Sequence, residues 1–162
     1  MQDELNIEKF IVFKISDYLF GLPINDVLKV VSCSLTDNRN LRTMGIVQLG
    51  QYMVKVLDFR QSLSSGDLTE LPGEQSFLVI TRDGEGELCG ILVDEPPNLM
   101  ELAQESLRII PRSNHQSGMF QMVSHGAVIS AQEGTITMLL LDMKRTLSNA
   151  IPNNNLLSLM PS

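Results

Sequence analysis

Short apolar segments rich in Val, Ile, Leu and Phe alternate along this sequence with breaks that contain Gly, Pro, Asn, Asp or Ser. Segments 76–81 and 87–94, for example, are separated by the turn sequence Arg82-Asp83-Gly84-Glu85-Gly86. Such segments are typical of β-strands. A helix would instead show apolar residues repeating every three or four positions over roughly ten residues or more. The pattern predicts about ten strands, drawn from 10–15, 18–22, 45–49, 52–58, 76–81, 87–94, 99–102, 107–110, 119–123, 126–130 and 135–141.

Two places in the chain suggest short helices. Pro23 suits a first helical turn, and Ile24, Val27, Leu28 and Val31 are spaced for one buried face, although Val30 and Val31 could equally begin a strand. Asp142 can cap a final helix from about Met143 to Ala150. Segments 32–43 and 64–74 are polar and are expected to be loops.

Strands at this spacing usually close into barrels or stack as sheets, which removes exposed edges. The length of 162 residues suits one domain or two small subdomains, and 43% hydrophobic with 19% charged residues is ordinary for a globular protein. The predicted fold class is therefore mainly β, with little helix.

Charge and cysteine content restrict the partners and the compartment. The formal net charge is −7 and no Lys/Arg cluster appears, which disfavours nucleic acid and an anionic membrane surface. The acidic start Met1-Gln2-Asp3-Glu4 does not resemble a secretory signal, and apolar runs such as 138–141 are too short to span a bilayer. Cys33 and Cys89 are far apart in sequence, which favours two buried thiols in a reducing compartment. We expect a cytoplasmic protein.

Residue patterns that carry chemistry are sparse. No nucleophile elbow, phosphate-binding loop or zinc motif is present, and His115 and His125 are expected to be surface histidines. Asp58, Asp94 and Asp142 each follow an apolar strand, so they form either a carboxylate cluster for acid–base or metal chemistry, or separate turn and helix starts. We favour separate turns, and predict no catalytic residue, no metal ligand and no cofactor.

The order of the segments resembles the CheW domain family. Segments 10–15 and 18–24, followed by Val27 and Val30, resemble its opening, and 45–60 (GIVQLGQYMVKVLDFR) resembles its central signature. Segments 77–80, 89–95 and 135–147 resemble its second half, in order and spacing.

The resemblance implies two small five-stranded β-barrel subdomains packed on a hydrophobic seam, with short helices including one near the C-terminus. We expect the domain at 9–148, its second half to begin near 76, and a tail at 149–162. Proteins of this family are not enzymes: they bridge chemoreceptor cytoplasmic tips to the regulatory domain of the histidine kinase CheA. The partners implied are therefore these two proteins, reached without insertion into the membrane.

The family's partner-binding residues carry over to eleven positions, namely Ile24, Val27, Lys29, Val30, Gly45, Gln48, Leu49, Gly50, Gln51, Asp58 and Arg60. Gly45 matches the glycine on the kinase-binding side, and 48–51 matches the N-L-R-G turn that borders the receptor-binding surface. The apolar matches could instead be core residues, and Asp58 with Arg60 could instead organise a turn.

This chain departs from the family pattern at several of these positions. Gly50 replaces the turn arginine and Gln51 the glycine that follows it, while Lys29 stands where the family is often acidic. Pro96-Pro97 replaces the family's apolar continuation after Val93-Asp94 and shortens that strand, because proline lacks the backbone N–H donor. Three functions remain open: a receptor-coupling adaptor, a scaffold that binds the kinase or its own kind but has lost normal receptor coupling, and a ligand-binding or catalytic barrel.

Overall fold

β-strands dominate the computed structural model, which describes residues 6–33, 45–60, 76–112 and 118–146. One sheet has six strands in the order β8-β1-β2-β11-β10-β9, and the other has five in the order β3-β6-β7-β5-β4. The strands are β1 (Ile7–Ile15), β2 (Tyr18–Pro23), β3 (Lys29–Cys33), β4 (Ile46–Leu49), β5 (Tyr52–Leu57), β6 (Ser76–Arg82), β7 (Leu88–Val93), β8 (Asn98–Ala103), β9 (Arg108–Ile109), β10 (Val123–Ala131) and β11 (Gly134–Leu141).

The predicted fold class is confirmed: the chain is mainly β, in two curled sheets. Its short helices include α1 (Met143–Thr146) near the C-terminus, and Asp142 caps it by accepting the Lys144 N–H at 3.1 Å. One sheet has six strands instead of the expected five, because the two-residue strand β9 pairs with β10. No helix in the described ranges is long and apolar enough to cross a membrane.

The first two and the last four strands of the chain together form the six-stranded sheet. The hairpin of β1 and β2 joins the C-terminal strands, because β11 pairs in parallel with β2. The middle of the chain forms the other sheet, in which β5 pairs in parallel with β7. The sheet boundary therefore does not fall near residue 76, since β6 pairs with β3 on one side and with β7 on the other.

Alternate residues of the central strands enter different cores. In β1, Phe10 and Val12 pack inside the six-stranded sheet, whereas Phe13 and Ile15 face the other way. In β7, Leu92 packs inside the five-stranded sheet, whereas Ile91 faces the other way. The outward sets meet in a third cluster, the seam core, formed by Phe13, Ile15, Phe20, Leu22, Val79, Cys89, Ile91, Val93, Met119, Met122, Val123, Leu141 and Met143.

Two local predictions were wrong. The helix expected after Pro23 is one 3₁₀ turn, Ile24–Asp26, which ends where the Val27 N–H bonds to the Ile24 carbonyl at 3.2 Å. The Leu28 N–H instead donates to Ile80 in β6, so the chain enters a sheet directly.

The strand expected at 119–123 is also largely a 3₁₀ turn, Gly118–Met122. The turn buries both Met119 and Met122 in the seam core. In a strand these two residues, three apart, would point to opposite faces. Only Val123 belongs to a strand there, because β10 begins at this residue.

Some predictions fall outside the described residues. These are most of the loop at 32–43, the loop at 64–74, the environment of His115, the end of the final helix and the tail at 149–162.

Gly90 shows how tightly the interior of the five-stranded sheet is packed. A Cβ at this position would lie 3.0 Å from Ile80 Cδ1 and 3.3 Å from two atoms of Leu78. Forcing extra methyl groups into such a core costs about 1–3 kcal/mol.

We therefore expect Gly90→Val to lower the free energy of unfolding by about 1–3 kcal/mol in urea denaturation. The control Thr137→Val places the same side chain at an exposed position of β11, and should change stability by less than about 0.5 kcal/mol. Equal effects of the two variants would contradict the packing of Gly90.

Candidate protein-interaction surface

The predicted binding residues lie at three places on the five-stranded sheet and its connections. Ile24 belongs to the 3₁₀ turn, Val27 follows that turn, and Lys29 and Val30 belong to edge strand β3. Gly45 and residues 48–51 belong to the opposite edge, at strand β4 and its hairpin with β5. Asp58 and Arg60 follow β5. Strands β3 and β4 are separated by three strands in the sheet order.

The turn before β3 presents apolar side chains to solvent. Ile24, Leu28 and Val30 are exposed, and Lys29 is exposed between two of them. Val27 is partly buried and packs against the seam core. Val27 thus packs on the seam core, whereas Ile24, Leu28 and Val30 leave large apolar side chains exposed. Sequence reasoning missed Leu28 as a candidate, because a helix would have buried it.

The β4–β5 hairpin carries the second group. Gly50 has φ +61°, the left-handed backbone conformation that glycine adopts most easily. Gln48 Nε2 donates to the Gly50 carbonyl at 3.3 Å, and Leu49 packs against the core of the five-stranded sheet. Gln48, Gly50 and Gln51 are exposed. The turn thus offers amide groups and backbone, with no cation.

Sequence reasoning also missed Tyr52 and Met53, which follow this turn. Tyr52 is 64% exposed and Met53 is 58% exposed. Consecutive strand residues point to opposite faces, so two large apolar residues beside an edge strand cannot both enter one core. That signal was available from the sequence, but the strand prediction for 52–58 assigned no face to either residue.

Two surface grooves lie on either side of the β6–β7 turn, residues 82–86. One has a volume of about 490 Å³ and is lined by Leu28, by residues of the β6–β7 turn and by residues at the start of α1. The other has a volume of about 630 Å³ and is lined by Gly45, Tyr52, Met53 and residues of β4, β5 and the same turn. Arg82 and Gly86 line both grooves. Leu28 therefore lies in one groove and Tyr52 and Met53 lie in the other, with the β6–β7 turn between them.

Asp83 occupies the turn between these grooves, and its side chain is 3% exposed. Its Oδ1 accepts the N–H groups of Glu85 at 2.8 Å and Glu87 at 2.9 Å, and its Oδ2 accepts Lys55 Nζ at 3.2 Å. Burial alone would raise the pKa of Asp83, but the two backbone hydrogen bonds and the Lys55 ammonium outweigh it. The net effect lowers the pKa of this carboxyl, so it stays ionised.

Asp58 and Asp94 meet at Arg60. Arg60 Nε and Nη2 donate to the two oxygens of Asp58 at 2.8 and 2.7 Å, and Nη1 donates to Asp94 at 3.1 Å. The hydrogen bond with Asp58 raises the pKa of Arg60; burial of the guanidinium opposes this rise, and both carboxylate charges reinforce it. Because β5 and β7 are parallel, their carboxyl ends coincide, and Arg60 ties them together.

Asp142 takes a different role from Asp58 and Asp94, at the cap of α1. No group of three His, Cys, Asp or Glu side chains within the described ranges is placed to hold a metal ion. The seam core consists of packed apolar side chains, whereas a ligand pocket combines an apolar lining with a few polar groups that orient the ligand.

The remaining reactive groups are partly or fully enclosed. Cys33 and Cys89 are buried thiols outside any disulfide, and burial raises the pKa of Cys89 to about 11. His125 lies half-buried inside strand β10 instead of in a surface loop, with Nδ1 2.9 Å from Ser124 Oγ.

Comparison with known proteins identifies relatives of this architecture. The family model described as the CheW-like domain matches residues 9–150. The crystal structure of the scaffolding protein TtCheW from Thermoanaerobacter tengcongensis is similar, with a TM-score of 0.62 and 18% identity, covering 89% of this chain and 90% of that one. A search of curated proteins found no match.

We expect the Asp83 carboxylate to make stability depend on pH in acid. Its folded pKa is lowered, so its contribution is complete above the ordinary aspartate value near 4 and is lost as pH falls through the folded pKa. Asp83→Ala should lower the free energy of unfolding by about 2 kcal/mol at pH 7. The difference from the parent protein should shrink below about pH 4.

Urea denaturation at a series of pH values from neutral to strongly acid measures this difference. Asp17→Ala, which removes an exposed carboxylate from the β1–β2 turn, is the control and should track the parent protein. A deficit of Asp83→Ala that stays constant down to the lowest pH would refute the ionic role of Asp83.

Proposed function

The chain belongs to the CheW-like domain family, and we propose that it is a non-catalytic adaptor in chemosensory signal transduction. In this proposal it couples chemoreceptor cytoplasmic tips to a CheA-type histidine kinase through protein contacts alone. It acts in the cytoplasm as a domain over residues 9–148, without a cofactor. The observation that carries the proposal is the family match over residues 9–150, together with the two-sheet fold.

The distribution of apolar side chains supports a role in protein contact. The seam core and the interiors of both sheets are packed, yet large apolar groups remain outside at the β3 turn and beside the β4–β5 hairpin. Contiguous exposed apolar groups rimmed by polar residues are typical of protein interfaces. Here the rim is polar: Lys29 and the amides of Gln48 and Gln51 are exposed.

A second candidate is a scaffold that binds the kinase or its own kind without normal receptor coupling. Gly50 favours it, since the family arginine is absent from a turn whose backbone is left-handed at this position. Nothing lies within 4 Å of a Cβ built there, so space for a side chain exists. Rim charges influence partner choice and association rate more than affinity. The missing cation therefore bears on receptor recognition while leaving the fold intact.

We expect Leu28→Ser and Tyr52→Ala each to weaken binding to the kinase regulatory domain by about tenfold, because exposed apolar anchors dominate interface energies. Calorimetric titration with the regulatory domain and the receptor tip of the same organism measures this. Val128→Ser, which removes an exposed apolar residue from β10 on the other sheet, is the control.

An adaptor should also raise kinase activity when receptor is added to the three-component mixture. If the unaltered chain binds neither the regulatory domain nor the receptor tip, the adaptor proposal fails. If it binds but Val128→Ser weakens the complex as much as Tyr52→Ala does, the surface has been misassigned.

The second candidate is tested by restoring the family order at the hairpin. Because Gly50 has a positive φ, Gly50→Arg alone strains the turn; the double variant Gly50→Arg/Gln51→Gly restores the family order and places beside the arginine a glycine that lets the turn change type. Gly50→Gln/Gln51→Gly makes the same backbone exchange without the charge and is the matched control. A gain of receptor binding by the arginine variant alone favours lost coupling, whereas strong receptor binding by the parent protein argues against it.

A further inference from the structure

We infer that Asp83 is a positioning residue that makes the two grooves act as one partner-binding surface; this inference rests on the proposed function. The β6–β7 turn is the wall that the grooves share, through Arg82 and Gly86. Asp83 lies between these two residues in sequence and lines the smaller groove, but its side chain is only 3% exposed and leaves little surface for direct contact. Its influence on binding is therefore expected to act through the residues that it holds.

One carboxylate holds the turn and the neighbouring strand together. Two backbone N–H groups of the turn and the Lys55 ammonium share its two oxygens. The turn is also closed by the Gly86 N–H, which donates to the Asp83 carbonyl at 3.0 Å. Arg82 Nη1 donates to the Gly86 carbonyl at 2.7 Å. Arg82 and Gly86 are thus locked to each other, and Asp83 attaches both to β5.

Lys55 links the Asp83 turn to the larger groove. It lies in β5, two residues beyond Met53, and lines the larger groove together with Tyr52 and Met53. The ion pair thus joins the strand that carries the exposed Tyr52 and Met53 to the turn opposite them. Loss of the pair would free the turn to move relative to the hairpin, and the width of the larger groove would no longer be defined.

The same turn also shapes the smaller groove. A Cβ at Gly84 would lie 3.0 Å from the Lys144 carbonyl, so the turn packs closely against α1. Leu28 lines this groove on the other side. Movement of the turn would therefore alter the surroundings of Leu28 as well as those of Tyr52.

The partner expected on this face is the kinase regulatory domain. Gly45, which matches the kinase-side glycine of the family, lines the larger groove. A positioning role and a merely structural role predict different results when the ion pair and Tyr52 are both altered. If the pair is merely structural, its loss lowers stability, and any effect on the binding free energy adds to that of Tyr52→Ala. If the pair positions the groove, the two effects on the binding free energy are not additive.

The decisive variants are Lys55→Met and Asp83→Asn, made in the full chain. Lys55→Met keeps most of the apolar stem and removes the ammonium, whereas Asp83→Asn keeps an oxygen acceptor for the turn and removes the charge. The matched control is Lys9→Met, which removes a lysine from the exposed Lys9–Glu101 pair on the other sheet. Each variant is made with and without Tyr52→Ala.

Calorimetric affinity for the kinase regulatory domain and for the receptor tip is measured, together with the melting temperature. We expect Lys55→Met and Asp83→Asn to weaken kinase binding by about tenfold, and Lys9→Met by less than about twofold. We further expect the effect of Lys55→Met to be largely lost in the Tyr52→Ala background, because neighbouring groups that act together are not additive.

The outcomes separate this inference from the proposed function. If Tyr52→Ala weakens kinase binding while Lys55→Met behaves like Lys9→Met, or if the two effects simply add, the positioning role is overturned and the adaptor stands. If Tyr52→Ala has no effect on kinase binding, the surface itself is wrong and the inference falls with it. Should Asp83→Asn fail to fold, Lys55→Met alone decides.

Discussion

Burial of the central strands on both faces is the constraint on which the rest of the structure depends. In β1, β2, β6, β7 and β11, one set of alternate side chains fills a sheet interior and the other set enters the seam core. Such strands read as nearly continuous apolar runs, because neither face meets water. They also leave little solvent-facing surface at the centre of the molecule for recognition.

On the five-stranded sheet, large exposed apolar residues therefore lie at edges, turns and strand ends. Exposed apolar residues lie at the turn before β3 and beside the β4–β5 hairpin, at opposite edges of one sheet. The two parallel strand pairs bring distant chain segments together, as where Arg60 joins Asp58 to Asp94. Asp83 does the same at the opposite end of β7, by holding its turn to Lys55. Charged contacts on this sheet thus fasten the elements between which the grooves lie.

Local features were predictable from the sequence, whereas long-range pairings were not. Apolar runs and turn residues predicted most strands, including β6 and β7, because strand formation there needs only local pattern and burial. Nothing local distinguishes the sheet to which β6 belongs, so the division expected near residue 76 has no counterpart in the sheet order. The meeting of Asp58 with Asp94 depends on the parallel pairing of β5 with β7, which no spacing reveals. Leu28 was missed because the prediction extended a 3₁₀ turn into a helix.

The hairpin turn illustrates why fold and recognition can diverge in this chain. Such a turn needs a residue that tolerates a positive φ, and Gly50 supplies it. The family pattern has arginine at this position and glycine after it, whereas this chain has Gly50 followed by Gln51. The family turn therefore carries a positive charge, and the turn of this chain carries none. Tyr52 and Met53 lie beside the altered turn and remain exposed, while Leu49 and Val54 keep the hairpin packed on its core. Because these buried residues anchor the hairpin, its exposed residues can differ between the two arrangements without disturbing the core beneath them.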